Sequence, residues 1–310
     1  MNTIMTYTIP LPQAGQSIGS FLSGLGYSEH LLRNLRRTEG AVLLNGEPAY
    51  TTRLMQEGQT LTICLPEESS SEKIVPTSME LDIRYEDRDI MIINKRAGVP
   101  IHPSQGNFSN TLASGIAFYQ QQTGQSFPYR VINRLDRDTT GLLILAKHSL
   151  SACILSRQIT ERKIHRQYLA IASGRVPLTG TIDAPIARVD GSTIERCVDF
   201  FQGESARTHY RCLSYNPKFD CSLVLLKLDT GRTHQIRVHM GYIGHPLPGD
   251  FLYYPDYHLI RRQALHSFLL DFSHPITGKD LHFQAPLPED MSFMSLPENM
   301  DQKLFSPASF

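Results

Sequence analysis

Arg134-Leu135-Asp136-Arg137-Asp138-Thr139-Thr140-Gly141 runs directly into the apolar stretch Leu142 to Ala146. Charges of alternating sign, two hydroxyls and a glycine thus stand in front of a segment that reads as a fully buried strand. A buried strand calls for apolar neighbours, whereas loops held by a rigid scaffold are where chemistry is placed. Gly141 supplies backbone freedom at the loop-to-strand joint. Taken alone the pattern is that of a salt-bridged turn. Its surroundings decide otherwise.

Downstream of this strand, Ser149 to Arg162 has helical spacing with Leu150, Ile154 and Ile159 turned to the core. Ile164 to Ala172 alternates as a strand and puts Arg166 and Tyr168 on one face. His209 to Tyr215 and Ser222 to Asp229 read as a strand pair, and Thr233 caps a predicted helix ending at Ile243. Upstream, Ile90 to Asn94 reads as a strand, and Ser109 and Asn110 precede a helix. At the N-terminal end, Ser17 and Ser28 each precede an apolar helical pattern. Arg33, Arg36 and Arg37 fall on the exposed side of the second helix. Ala41 to Leu44, a tight turn at Asn45-Gly46 and an alternating strand through Leu61, Ile63 and Leu65 follow. Strands outnumber helices without alternating with them, which predicts an α+β class rather than a doubly wound sheet.

The chain has 310 residues, 41% hydrophobic and 19% charged, and a formal net charge of zero. That composition suits one large domain with a small one. It excludes a uniformly basic nucleic-acid coat but not a local basic stripe. No apolar run is long enough to span a bilayer and no secretory signal is visible, so a cytoplasmic location is expected. Five cysteines without a CxxC pair favour buried thiols over a disulfide frame or zinc site. Neither GxGxxG after a strand nor GxxxxGK[ST] occurs, which argues against nucleotide-cofactor folds.

The segment Asn133 to Gly141 resembles the signature loop of the RluA-type pseudouridine synthases. Gly231-Arg-Thr-His-Gln-Ile-Arg-Val-His-Met240 and Gly244-His-Pro-Leu-Pro-Gly-Asp250 are similar to that family's second signature. Tyr85-Glu-Asp87, Ile93-Asn-Lys95 and His102-Pro103 are similar to its entry segment; Ala264-Leu-His266, His274-Pro275 and Ala285-Pro-Leu-Pro288 are similar to its closing one. The likeness runs from about Leu81 to about Pro288 in the family's order. It implies a large, mainly antiparallel mixed sheet flanked by helices and loops around a central cleft. The small N-terminal α+β part resembles, by Gly40, Val42, Asn45-Gly46 and Gly58, the S4-like RNA-binding module. The expected boundaries are 12–66 for that module, 67–79 for a linker, 80–290 for the synthase domain and 291–310 for a peripheral tail.

The resemblance implies an isomerase that turns a uridine of RNA into pseudouridine without cofactor or metal. Asp136 is then the catalytic carboxylate, Arg237 the cation that keeps it ionised, and Tyr168 a ring that stacks on uracil and handles a proton. Arg134 is the side chain that fills the gap left by the flipped base. Arg137, Thr139, Arg232 and His234 are further candidates for RNA and base-flipping contacts, and Arg33, Arg36 and Arg37 for RNA binding by the N-terminal module. Ribosomal large-subunit RNA is the expected partner, with transfer RNA, or a catalytically inactive RNA-binding factor of this fold, as alternatives. A monomer is expected. Asn133 stands where the family has His, Arg96 where Pro follows Asn-Lys, Arg166 for Lys and Thr140 for Ser, so loop pinning and substrate choice are the features these departures touch. His234, His239 and His245 lack metal-binding spacing and are read as packing and hydrogen-bonding residues.

Overall fold

Two sheets carry the chain, and helix Ser149–Thr160 of the larger unit packs into the core of the smaller one. The computed structural model describes residues 3–65, 74–103 and 108–294; most of the expected linker and the tail beyond 294 lie outside them. The small sheet holds β1 (Thr3–Thr8), β2 (Val42–Leu44), β3 (Glu47–Pro48) and β4 (Thr60–Leu65) in the order β1-β4-β2-β3. It therefore takes in a strand upstream of residue 12. Helices α1 (Ile18–Gly24) and α2 (Glu29–Arg37) cover it. Ser17 accepts the Ser20 N–H and Ser28 the Leu31 N–H, each at 3.2 Å, so both predicted caps satisfy otherwise orphaned first-turn donors. Ile18, Leu22, Leu31, Leu32 and Leu35 point into a core shared with Leu61 and Ile63.

The large sheet is built from β5 (Asp82–Glu86), β6 (Ile90–Lys95), β7 (Arg130–Val131), β8 (Thr140–Ala146), β9 (His165–Ser173), β10 (Thr179–Asp183), β13 (Arg207–Asn216), β14 (Cys221–Leu228), β15 (Leu265–Ser273) and β16 (Asp280–Gln284). A separate two-stranded ribbon, β11 (Ile186–Arg188) with β12 (Arg196–Val198), leaves it between β10 and β13. The main order is β10-β13-β14-β9-β15-β8-β6-β5, with β16 beside β15 and β7 beside β8. All its pairings are antiparallel except that of β8 with β15. The molecule is thus α+β with a mixed, mainly antiparallel sheet. Strand β8 is buried along its whole length, as the uninterrupted apolar run requires.

That single parallel seam positions the site. Gly141 pairs with Ser267 at φ +109°, and a Cβ there would lie 2.1 Å from the Ser267 carbonyl oxygen. Only glycine lets the loop enter the sheet at this point. Helices α3 (Leu112–Thr123) and α4 (Ser149–Thr160) flank the sheet. The cap of α4 is His148 rather than a serine, its Nδ1 accepting the Ser151 N–H. Leu150 and Ile154 of α4 are buried in the core of the small sheet, so this helix serves both units. Helix α5 (Gln235–Tyr242) starts later than expected: Thr233 does not cap it. His234 sits in the left-handed region at φ 57°, and the Gln235 side chain accepts the Arg232 N–H instead. At the other end of the described chain, Met291 and Met294 are buried against the core around Phe268 and Leu269, so 291–294 pack inward.

Candidate active site

The loop ahead of β8 is fastened on every side. Asn133 is buried; its side-chain oxygen accepts the Ile144 N–H at 2.8 Å and its amide donates to the Leu142 carbonyl at 3.2 Å. It imitates a strand neighbour to β8, which shows how Asn pins this loop. Lys95, buried, donates to the carbonyls of Arg96, Val99 and Arg137 at 2.7 to 3.0 Å. From the opposite side Arg262 donates to the Asp138 carbonyl at 3.2 Å while Asp290 grips it through two bonds of 2.7 Å. Thr139 accepts from Gln263, and the Thr140 hydroxyl meets Nδ1 of His266 at 2.8 Å. Asp136 lies between these fastenings.

Arg237 is 2% exposed and joins two carboxylates. Its Nε and Nη2 donate to Asp250 at 2.7 Å each, and its Nη1 donates to Oδ2 of Asp136 at 3.0 Å. The guanidinium lies over the Tyr253 ring, 4.9 Å from its centre. Burial works against its charge, yet the bonds and charges of Asp250 and Asp136 outweigh it and hold its pKa above the ordinary arginine value. A planar fork held on Asp250 presents its remaining donor to Asp136 in one orientation. Oδ1 of Asp136 stays toward the open side, 3.9 Å from Nε2 of His234.

His234 is oriented from behind. The Tyr253 hydroxyl accepts the Arg196 N–H at 2.9 Å and stands 2.9 Å from Nδ1 of His234. The other ring nitrogen, Nε2, is the one that faces Asp136. Burial lowers the pKa of His234, with Asp136 pulling the other way.

A cleft of about 280 Å³ opens above Asp136. Arg134, Thr139, Tyr168, Arg232, His234 and Arg237 all line it, so the structure gathers these sequence-selected side chains around one space. Tyr168 is buried in the β9 wall; burial raises its pKa, Arg166 opposes that and Asp136 adds to it, so the phenol keeps its proton. Arg166 lines the same wall, and its buried Nε has no hydrogen-bond partner among the described residues. Arg134 is exposed at the rim, close enough to His102 to help lower that residue's pKa, burial being the larger cause. Arg137 is brought to the loop but not to the cleft wall. Its guanidinium chelates Asp138 and covers the Phe251 ring. Arg33, Arg36 and Arg37 are exposed on α2, Arg36 paired with Glu29.

The family model described as RNA pseudouridylate synthase matches residues 89–242, which include the Asp136 loop, Tyr168 and Arg237. An uncharacterized RNA pseudouridine synthase of Bacillus subtilis (strain 168), YjbO, is 41% identical over 91% of this chain and 99% of its own. The chain belongs to the RNA pseudouridine synthase family. It is an isomerase acting on RNA. This synthase is also 35% identical to ribosomal large subunit pseudouridine synthase D of Neisseria meningitidis serogroup A, over 96% of this chain and 83% of that one. With the enzyme of the same name from Vibrio cholerae it shares 34% identity, over 97% and 96%. Among solved structures it resembles human RNA pseudouridylate synthase domain containing 1, with a TM-score of 0.60, 27% identity and coverage of 74% and 95%.

Sequence reasoning quoted Asp250 and Lys95 inside family words but gave them no part in the site. That Arg237 is buried and grips Asp250 as well as Asp136 appears only in the fold. Tyr253, Arg262 and Gln263 left no such trace; they meet the loop only through the fold. His239 hydrogen-bonds Thr208 and the Ala184 carbonyl, and His245 the Ser173 carbonyl, which is the packing role read for them.

Proposed function

We propose that this pseudouridine synthase acts on a uridine of large-subunit ribosomal RNA, with Asp136 as its reacting carboxylate. The observation that carries the assignment of Asp136 is its 3.0 Å bond to the buried Arg237 while its other oxygen faces the cleft. The ribosomal target rests on the two relatives named for the large subunit, which align with nearly the whole chain.

In the reaction the N1–C1′ bond of uridine breaks and a C5–C1′ bond forms. The C5 proton leaves to solvent and N1 ends protonated, so no external reagent is consumed. A carboxylate attacking C1′, adding to the uracil ring or taking a C2′ proton must in each case be ionised and fixed. Arg237 does both. Tyr168 supplies a ring for the uracil and a hydroxyl within the same wall. A base reaches this cleft only by leaving its stack, and Arg134 at the rim is the planar cation that takes the vacancy. Thr139, Arg232 and His234 border the flipped nucleotide, Arg137 on the loop outside the cleft wall meets the RNA backbone beside it, and Arg33, Arg36 and Arg37 of the S4-like N-terminal domain hold RNA phosphates farther out. The protein works as a monomer in the cytoplasm, where its substrate is.

Tritium release from RNA labelled at uracil C5 tests the central assignment. Asp136→Asn loses at least about 10³-fold in rate while RNA affinity is kept; undiminished release refutes it. Mapping pseudouridines in cells with and without the gene tests the target. A position lost from large-subunit RNA is expected, and one lost only from transfer RNA overturns the ribosomal assignment.

A further inference from the structure

The β11–β12 ribbon brings an opposed arginine pair beside exposed aromatic rings. Arg188 and Arg196 are directly opposite each other in its register. Like charges in that position repel. Neither makes an ion pair with a carboxylate among the described residues; Nη1 of Arg196 donates only to the Ile194 and Glu195 carbonyls. Ile186 and Val198, two residues along each strand, pack toward Val238 of α5, so the two arginines project from that same face.

The turn that follows presents bare aromatic rings. Phe201 is 99% exposed and Phe200 62%. This turn is held rather than loose: Oδ1 of Asp199 accepts the N–H of Phe201 at 2.8 Å and of Gln202 at 3.1 Å. Gly203 closes it onto the Asp199 carbonyl, where a Cβ would come to 2.3 Å. Phe200 meets Tyr242 of α5, itself 54% exposed, with ring centres 6.5 Å apart. Between ribbon and helix runs an open groove lined by Arg196, Val198, Phe200, Tyr242, Tyr253 and Arg237. Arg237 and Tyr253 are also the side chains behind Asp136 and His234. Groove and catalytic cleft are therefore adjoining spaces, parted by those two residues.

We infer that this ribbon and groove hold the nucleotides flanking the target uridine, with bases on the Phe200, Phe201 and Tyr242 rings and phosphates on Arg188 and Arg196. The inference rests on the RNA-modifying reading of the cleft. A strand whose middle base is flipped into that cleft must continue along a neighbouring surface, and its flanking bases have lost a stacking partner. Exposed rings beside unpaired guanidiniums supply both things such a strand needs. An apolar protein segment would satisfy the rings but leave the arginine pair repelling.

The test uses the full chain and an unmodified large-subunit ribosomal RNA transcript. Phe201→Ala/Tyr242→Ala raises Kd and KM by about ten-fold or more, the loss of a stacking platform, and lowers kcat far less. Phe201→Trp keeps the wild-type affinity and Phe201→Leu does not, which separates stacking from mere apolar contact. Arg188→Gln flattens the dependence of log Kd on log salt by about 0.7 to 0.9. Unchanged Kd in the double variant overturns the inference, and so does an equal loss in Leu178→Ala, an exposed apolar residue outside the groove. Wild-type protein that binds RNA without making pseudouridine defeats the proposed function instead, and the Kd comparison still judges the groove.

Discussion

Two acid clusters in the large domain have similar ingredients and opposite finish. At one end of β6, Asp87 and Asp89 meet His148 and His274, three of the four close enough to share a cation. Every carboxylate oxygen of Asp87 there is spent. Oδ1 accepts the N–H groups of Asp89 and Ile90, and Oδ2 accepts from the Tyr85 hydroxyl and His274. Nδ1 of His274 accepts from Ile276 and Thr277, which leaves its proton on Nε2, where a metal ligand would need a lone pair. His148 likewise accepts the Ser151 N–H at Nδ1 and turns Nε2 to Asp89. At the Asp136 cluster, Asp250 is equally saturated, by Arg237 and the N–H groups of Leu252 and Tyr253. Asp136 is not. Its one bond of normal length to a cation leaves an oxygen facing the cleft. Chemistry is marked by the acid left unfinished, not by the gathering of acids.

The sharpest way to break this contrast is at Arg237. Arg237→Ala leaves Asp250 buried without a counter-charge, and losing one partner of such a pair costs about 3–5 kcal/mol. Denaturant unfolding is expected to show that loss together with no measurable pseudouridine. Stability near wild type would mean the pair is not buried as described. Asp250→Asn is gentler. It keeps the shape but frees the guanidinium to turn, and a drop in kcat of about 10 to 100-fold is expected, the scale on which a supporting hydrogen-bond partner acts. Equal losses in kcat/KM and kcat would place the effect in the transition state.

The same contrast explains what could be read from the sequence. Local signals transferred well: the Ser17 and Ser28 caps, the buried β8 and the Arg166–Tyr168 face all depend on neighbours a few residues away. Asp136, Tyr168 and Arg237 stood in distinctive words. What stayed hidden was contact across the fold. Nothing near Lys95 says that its ammonium meets the carbonyl of Arg137, and nothing near Thr233 says that His234 takes a left-handed turn and delays α5 to Gln235. The Asn133 departure shows the limit from the other side. Its effect was readable only once the Leu142 and Ile144 main chain was seen to face it.

Lys95 sharpens the comparison through pH. Burial pulls its pKa down to about 7, with Asp138 and Asp136 pulling back. Between that value and the ordinary lysine value the unfolded chain holds the extra proton. Stability contributed by this group therefore rises with pH across that window, by at most about 1.4 kcal/mol per pH unit. Lys95→Met removes this slope, and urea unfolding from neutral to alkaline pH compares the two. Identical slopes would show that Lys95 titrates in the folded protein as it does in the unfolded chain.

The smallest effect belongs to the finished cluster, and it is the one that isolates the argument. Burial raises the pKa of Asp87, but the donors Tyr85, Ile90, Asp89 and His274 outweigh it and hold the group below the usual carboxylate range. A lowered folded value means the stabilisation is present above the unfolded pKa and is lost as pH falls through the folded one. Asp87→Asn is expected to cost about 1–2 kcal/mol at neutral pH, since an amide offers donors where Tyr85 and His274 already donate. The gap between variant and wild type should close as pH falls from the ordinary carboxylate value down through the lowered native one, where the folded carboxyl takes up its proton. Turnover should stay at the wild-type level, because no oxygen of Asp87 faces a substrate. A fall in kcat as deep as that of Asp250→Asn would erase the distinction between a saturated acid and an open one.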